Sequence, residues 1–374
     1  MKERAASFMA RVDAPGRAAR ALAGVLADVR HPSGALIFAS GSLSARLVEL
    51  GRELKAVLGD TPAMLAVGHG VLTERGEIEH ESAIAGIVWS GGTTECVGVP
   101  SSEGDLGYSL ARSLDGHAQR AATAFAFVRA KGFLPHMLEP LREQRFACMV
   151  GAGTAGEVSV VPIAPGLPLE PAAAGALILK NLTPPTVKAS PGCRLLSKMR
   201  RITRVRGGMV LELDGYRALE ALSEAANGLT DQLLFVALAE HLSADDPPAL
   251  LLRGIQGVDP LQHGVLVSDE VRAGQFMAFA VRNAEQSRIE LEQRVARLAR
   301  DAGGARPHFG VYVSCAGRGR TLYGSEDVDT RIIRARFPQL PLAGMHSSFE
   351  IAPHGGGPAL QLYTGVLTVF TEPS

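Results

Sequence analysis

An α+β fold in two domains, with mixed β-sheets flanked by helices and built from duplicated half-domains, is the architecture this sequence predicts. Three observations carry it. At 374 residues the chain exceeds the size at which one hydrophobic core usually stops growing. Its apolar content of 46% is ample for packed cores. One order of elements also recurs three times: strand, small-residue loop, helix, strand, a loop running from glycine to glutamate, strand.

Residues 1–33 read as an N-terminal helix or arm, with Leu22, Val25, Leu26 and Val29 at helical spacing and a stop at His31-Pro32-Ser33-Gly34. The start, Met1-Lys2-Glu3-Arg4, carries an acid and leads into a segment broken by Asp13 and Pro15, so it lacks the apolar core of a secretory leader. The first domain is expected over 34–183. Its first pass runs from a buried strand at 35–39 through a helix with Leu43, Leu47, Leu50, Leu54 and Leu58 on one face. A strand at 63–67 then reaches Gly68-His69-Gly70, and Gly76-Glu77-Ile78 precedes a strand at 82–90. The second pass has strands at 122–128 and 146–150, the loop Gly151-Ala152-Gly153-Thr154-Ala155-Gly156-Glu157-Val158, and a strand at 175–180. In the alignment this suggests, Gly68, Gly151 and Gly344 correspond, as do Glu77, Glu157 and Glu350.

Proline-rich and basic texture over 184–214 marks a linker or hairpin, closed by a turn at Asp214-Gly215. Lys198, Arg200, Arg201, Arg204 and Arg206 alternate as they would on an exposed strand face. The second domain, 215–374, opens on a helix at 216–226 and continues through a helical or extended apolar run at 232–242. Strands follow at 249–255, 265–268 and 275–281, then an amphipathic helix at 284–302 with Ile289, Leu291, Val295 and Leu298 inward. The third pass closes the chain, with strands at 309–314 and 359–370 and a helix at 328–336 between them.

Lys+Arg and Asp+Glu balance at 38 each, so there is no electrostatic footprint for nucleic acid or an anionic membrane. The four cysteines are far apart and form no Cys-x-x-Cys pair, which suggests neither a zinc site nor a disulfide framework. No segment approaches the roughly 20 apolar residues that span a bilayer. A cytoplasmic protein with reduced thiols is the expectation.

The densest chemistry lies in the third pass. Cys315-Ala316-Gly317-Arg318-Gly319 follows a strand, and a second loop carries His346, Ser347 and Glu350, so the two form the rim of a pocket. Glycines let the backbone approach a ligand, and the planar fork of Arg318 matches a carboxylate or phosphate. The alternative is an Arg318 paired with Glu326 or Asp327 in a tight turn; the sequence leaves both open. The glutamates either accept from a ligand ammonium or clamp loop amides. Cys315 and His346 could form a nucleophile and base, although a free cysteine is commonly a small buried hydrophobe. The glycine-rich segments lack the Lys-Ser/Thr of a phosphate-cradling loop, and no metal site is read from histidine spacing.

Cys315-Ala316-Gly317-Arg318-Gly319, Leu322-Tyr323-Gly324, Pro341-Leu342-Ala343-Gly344 with Glu350-Ile351-Ala352-Pro353, and Thr364-Gly365-Val366-Leu367 together resemble the C-terminal FIST domain. The resemblance extends more faintly over most of the chain, placing a FIST N-like domain at 34–183 and a FIST C-like domain at 215–374. It departs at the first glycine loop, where the family's Gly-Cys-Ser-Thr-x-Gly-Glu stands as Gly68-His69-Gly70-Val71-Leu72-Thr73-Glu74-Arg75-Gly76-Glu77. What the resemblance implies is a non-enzymatic intracellular sensor of a small ligand, such as an amino acid or related carboxylate. Such a sensor signals through a separate protein such as a histidine kinase. It also admits haem as a cofactor, with His69, His117, His136, His263 or His346 as axial ligand and a gas as the signal. A Cys315/His346 enzyme acting on a small metabolite is the remaining alternative. Ligand contacts are expected at Cys315, Gly317, Arg318, Gly319, His346, Ser347 and Glu350.

Overall fold

A computed structural model describes residues 4–100, 104–229, 232–242 and 248–372; the expected arm's residues 1–3 lie outside this set. Mixed sheets and helices form two compact units, as the α+β reading predicts. The units follow strand pairing more than chain order. The larger comprises 1–189, 291–360 and 364–374, and the smaller 190–290 with 361–363.

The larger unit is organised by three copies of one device, a strand, a helical crossover and a parallel partner strand. Pro32–Ser40 pairs with Ala63–Val67 across the helix Leu47–Leu58. Thr123–Arg129 pairs with Cys148–Thr154 across the short helix Glu139–Arg142, and Pro307–Cys315 pairs with Leu342–Ser347 across Val328–Arg336. Each pair sits in a different sheet. At the end of each second strand the chain turns a corner into the next sheet: Val67 leads to Gly70–Thr73 beside the third pair, Thr154 to Val160–Ile163 beside the first, and Ser347 to Phe349–His354 beside the second. The hand-over is therefore cyclic.

Apolar residues of all three sheets share one core. Phe38 meets Phe127 edge-on at 5.9 Å, and Trp89, Phe309 and Phe370 stack in series at 5.0 and 4.5 Å. Leu50, Leu54 and Leu58 of the first crossover helix cover the outer face of the first sheet, joined by Leu22 of the helix Pro15–Asp28. Leu291, Val295, Leu298 and Ile333 cover the third sheet. Ile289, expected inward, is exposed. The expected N-terminal arm contains a strand, Ala5–Arg11, antiparallel to Ala83–Ser90. Its alanine-rich composition hides the period-two pattern.

Gly344 and Gly151 occupy matching places in their passes, opposite Tyr312 and Ala126 of the parallel partner. At both, a Cβ would fall on the partner's carbonyl oxygen. Gly344→Ala is accordingly expected to lower stability by about 3 kcal/mol through forced displacement of paired backbone. Urea denaturation reads this directly, and an unchanged midpoint would show that the strands can part without cost. Gly68 lies three residues beyond the equivalent position, which is Leu65, so the glycine alignment read from the sequence holds for two passes and slips in the first.

In the smaller unit the run at 232–242 resolves as the strand Leu234–Ala239. Antiparallel pairings run from Arg200–Arg206 through Met209–Leu213, Gly264–Val267, Leu251–Asp259, Leu234–Ala239 and Phe276–Arg282, and back to Arg200–Arg206. This ring is closed, which removes the exposed sheet edges. Val210, Val236, Val265 and Phe279 cluster with Ala218 and Leu222 of the helix Ala218–Ala225. The basic residues behave as an exposed face: Arg204 pairs with Glu212 at 2.9 Å and Arg200 lies 4.5 Å over the Tyr216 ring.

Candidate functional site

The three corners meet. Position for position, Val67, Gly153 and His346 are equivalent, followed by Gly68, Thr154 and Ser347, then by His69, Ala155 and Ser348. The last amide of each triplet donates to the first carbonyl of another: His69 to His346 at 2.8 Å, Ser348 to Gly153 at 2.9 Å, and Ala155 to Val67 at 2.9 Å. The middle residues tie each corner to the first strand of its own pass. The Gly68 amide reaches the Ala39 carbonyl at 2.9 Å, and the Thr154 and Ser347 hydroxyls reach Val128 and Ser314 at 3.1 and 3.2 Å. Open sheets of this kind bind ligands outside the carboxyl ends of parallel strands, where these corners lie.

Beside the hub is a cleft of about 480 Å³. Two of the three corners line it, through Gly68, His69, Ala155 and Gly156, together with Ser44 and His80. The His69 ring shares a hydrogen bond with the Ser348 hydroxyl at 2.9 Å. Burial, with His346 and His80 adding like charge, holds its pKa below the ordinary histidine value. Glu157 rims the cleft and is drawn outward to Lys131, 2.5 Å away.

Of the residues expected to bind ligand, His346 and Ser347 belong to the third corner and the others lie near it, mostly buried. Cys315 lies opposite Ser347 in parallel register, and the Ser347 hydroxyl shares a hydrogen bond with Glu350 at 2.8 Å. The Thr364 amide donates to the other Glu350 oxygen at 3.2 Å. Burial pushes the Glu350 carboxyl up to about 8, against the pull of these bonds and of Arg318. Glu350 thus clamps backbone, as does Glu77, whose carboxylate accepts from the amide and hydroxyl of Thr330 at 3.1 Å each.

Arg318 is wholly buried. Neither Glu326 nor Asp327 is its partner: it holds Asp329 in a two-pronged pair, Nε to Oδ2 at 2.9 Å and Nη2 to Oδ1 at 3.1 Å. Tyr312 and Tyr323 hydroxyls each donate to the same carboxylate at 2.7 Å. The sequence offered no direct signal for this network, because its four members belong to a strand, a loop and two helices. Glu326 pairs instead with Arg320 at 2.9 Å. Gly317 is half-buried, and Gly319 presses against Glu79, where a Cβ would meet the carboxylate.

His346 is buried, its Nε2 3.3 Å from Glu77 Oε2. Burial disfavours its charge, yet Glu77, Glu79 and Asp329 together hold its pKa above the usual value. Of the five histidines named for haem, the hub brings His69 and His346 together. His117 bonds Glu95 at 2.6 Å, His263 bonds Arg217 at 3.0 Å, and His136 sits in the short turn Pro135–Leu138.

Family models account for both ends of this arrangement. The FIST N domain matches residues 35–216 and the FIST C domain residues 216–353. The chain belongs to the FIST family. FIST domains are small-ligand sensory domains. The chain is also 31% identical over 196 residues to an uncharacterized protein of Mycobacterium bovis, a span covering 49% of this chain and 50% of that one. Uncharacterized proteins of Mycobacterium tuberculosis match at 31% over 196 residues and at 30% over 192, with the same coverage. The chain thus spans about half the length of the curated relatives it matches. Among the described residues no helix is long and apolar enough to cross a membrane. The four cysteines are buried and form no disulfide, and burial pushes Cys96, Cys148 and Cys193 up to about 12.

Proposed function

We propose that this FIST protein is a non-enzymatic cytoplasmic sensor that binds an amino acid or related carboxylate in the cleft beside the corners and signals through a separate protein such as a histidine kinase. The observation carrying this reading is the convergence of two equivalent corners, His69 and Ala155–Gly156, on one cleft of mixed polar and apolar lining. His69 and His80 offer ring N–H donors to a carboxylate, and Glu157 an acceptor to an ammonium. Cys315, Arg318, Ser347 and Glu350 act in this reading as the rigid floor that fixes the corners, and Gly317, Gly319 and His346 as its close-packed edge. Because the three corners are hydrogen-bonded to one another, a ligand that draws two of them together biases their common arrangement, which is what a sensor requires.

A ligand that binds only the folded protein raises its melting temperature. A thermal-shift screen of amino acids and short carboxylates is therefore expected to yield a stabilising compound. Ala45→Trp at the exposed cleft wall should weaken its binding about tenfold or more by calorimetry, as should His69→Ala. Compounds that stabilise both variants as strongly as the parent, or a screen with none, would remove the cleft from consideration.

A further inference from the structure

Across the third sheet, His346, Gly70 and Glu79 stand directly opposite one another in register on three neighbouring strands. Directly opposed residues project to the same face. Glu77, two residues before Glu79, shares that face. Gly70 contributes no side chain; a Cβ there would meet the Ile78 carbonyl oxygen at 2.6 Å and then the His346 ring at 3.0 Å, so the glycine lets the neighbouring strand close up and leaves the face between histidine and carboxylates clear. One ligand atom from each of Glu77, Glu79 and His346 lies within 4.8 Å of the others.

A second observation is independent of this clustering. His346 is 2% exposed; its Nδ1 has no hydrogen-bond partner, and its Nε2 has only the 3.3 Å ion pair with Glu77 Oε2, too long and poorly aimed for a good hydrogen bond. A buried imidazole in that condition is under-satisfied, since buried polar groups normally have full hydrogen bonds. The 3.3 Å separation is close to the edge of a coordination tetrahedron built on bonds of about 2.0 to 2.1 Å. The other oxygen of Glu77 is held by Thr330, and the Glu79 carboxylate accepts from the Arg320 amide at 3.0 Å, the type of outer contact that orients metal-binding carboxylates.

We propose that Glu77, Glu79 and His346 form a binding site for one divalent transition-metal ion, completed by water or a ligand group. One imidazole with two carboxylates suits Zn²⁺ or Mn²⁺ better than the all-oxygen sets of Mg²⁺ and Ca²⁺.

The test uses the full chain, stripped with a chelator and titrated with Zn²⁺ and with Mn²⁺ by calorimetry. One equivalent is expected to bind and to raise the melting temperature, with Mg²⁺ binding at least tenfold more weakly. Glu79→Gln, at a half-buried position, should fold normally and lose tenfold or more in affinity; His346→Gln should do the same, and if it fails to fold, the Glu79 variant decides. Absence of a stoichiometric site, or a site whose affinity survives Glu79→Gln, overturns the proposal.

Discussion

Arg318→Ala is expected to cost about 3–5 kcal/mol of stability, because it leaves the Asp329 carboxylate buried without its counter-charge. Both groups are sealed from solvent and joined by two hydrogen bonds, and the Tyr312 and Tyr323 hydroxyls are committed to the same carboxylate. Lysine would restore charge without the planar fork, so Arg318→Lys should recover part of the loss only. The neighbouring arginine supplies the control. Arg320 meets Glu326 at the same 2.9 Å, but with side chains about half exposed, and exposed pairs contribute about 1 kcal/mol or less. Urea midpoints for Arg318→Ala and Arg320→Ala should therefore differ widely. If Arg318→Ala instead leaves the midpoint in place and abolishes ligand-induced stabilisation, the guanidinium belongs to the ligand and not to the fold.

That contrast also shows what was legible in the sequence. Apolar runs and helical faces disclosed three passes through one motif, and the strands at 63–67 and 309–314 lie close to where periodicity puts them, whereas His346, Ser347 and Glu350, expected on a loop, stand on the strands Leu342–Ser347 and Phe349–His354 because their polar side chains mask the strand pattern. Gly151 and Gly344 could be aligned because a close parallel strand excludes a side chain at both. In the first pass Leu65 takes that place, and Gly68, a corner residue, served as a decoy. The same slip made Glu77 a false match for Glu157 and Glu350, whose first-pass counterpart is Val71. His69 stands where the sequence departs from the family's Gly-Cys-Ser-Thr pattern, and it is the cleft residue that the list of third-pass candidates omitted. The partner of Arg318 was hidden for a physical reason: Asp329 lies beyond the turn, in the first turn of the following helix, and only the folding of that helix back onto the strand brings it near. Closure of the smaller unit depends on Leu234–Ala239 meeting Phe276–Arg282, a pairing about forty residues apart that no local pattern encodes.

Glu350 provides the second large effect, seen in the pH dependence of stability. Burial pushes its folded-state pKa up to about 8, whereas the unfolded chain titrates near the ordinary glutamate value of about 4.3. A raised folded pKa means that the native state holds the proton the unfolded state has released. The stability this confers is complete below about pH 4, declines as pH rises, and is gone once pH passes about 8. The difference between the two pKa values corresponds to about 5 kcal/mol over that window. Glu350→Gln carries no titrating proton, so the gap in stability between parent and variant should move in the variant's favour by several kcal/mol from pH 5 to pH 8.5. Denaturant midpoints at a series of pH values measure that gap with contributions from other groups cancelled. Parallel curves for parent and variant would mean that the carboxylate ionises normally in place, with Arg318 outweighing burial, and the buried floor beneath the corners would then carry a net charge available to a ligand.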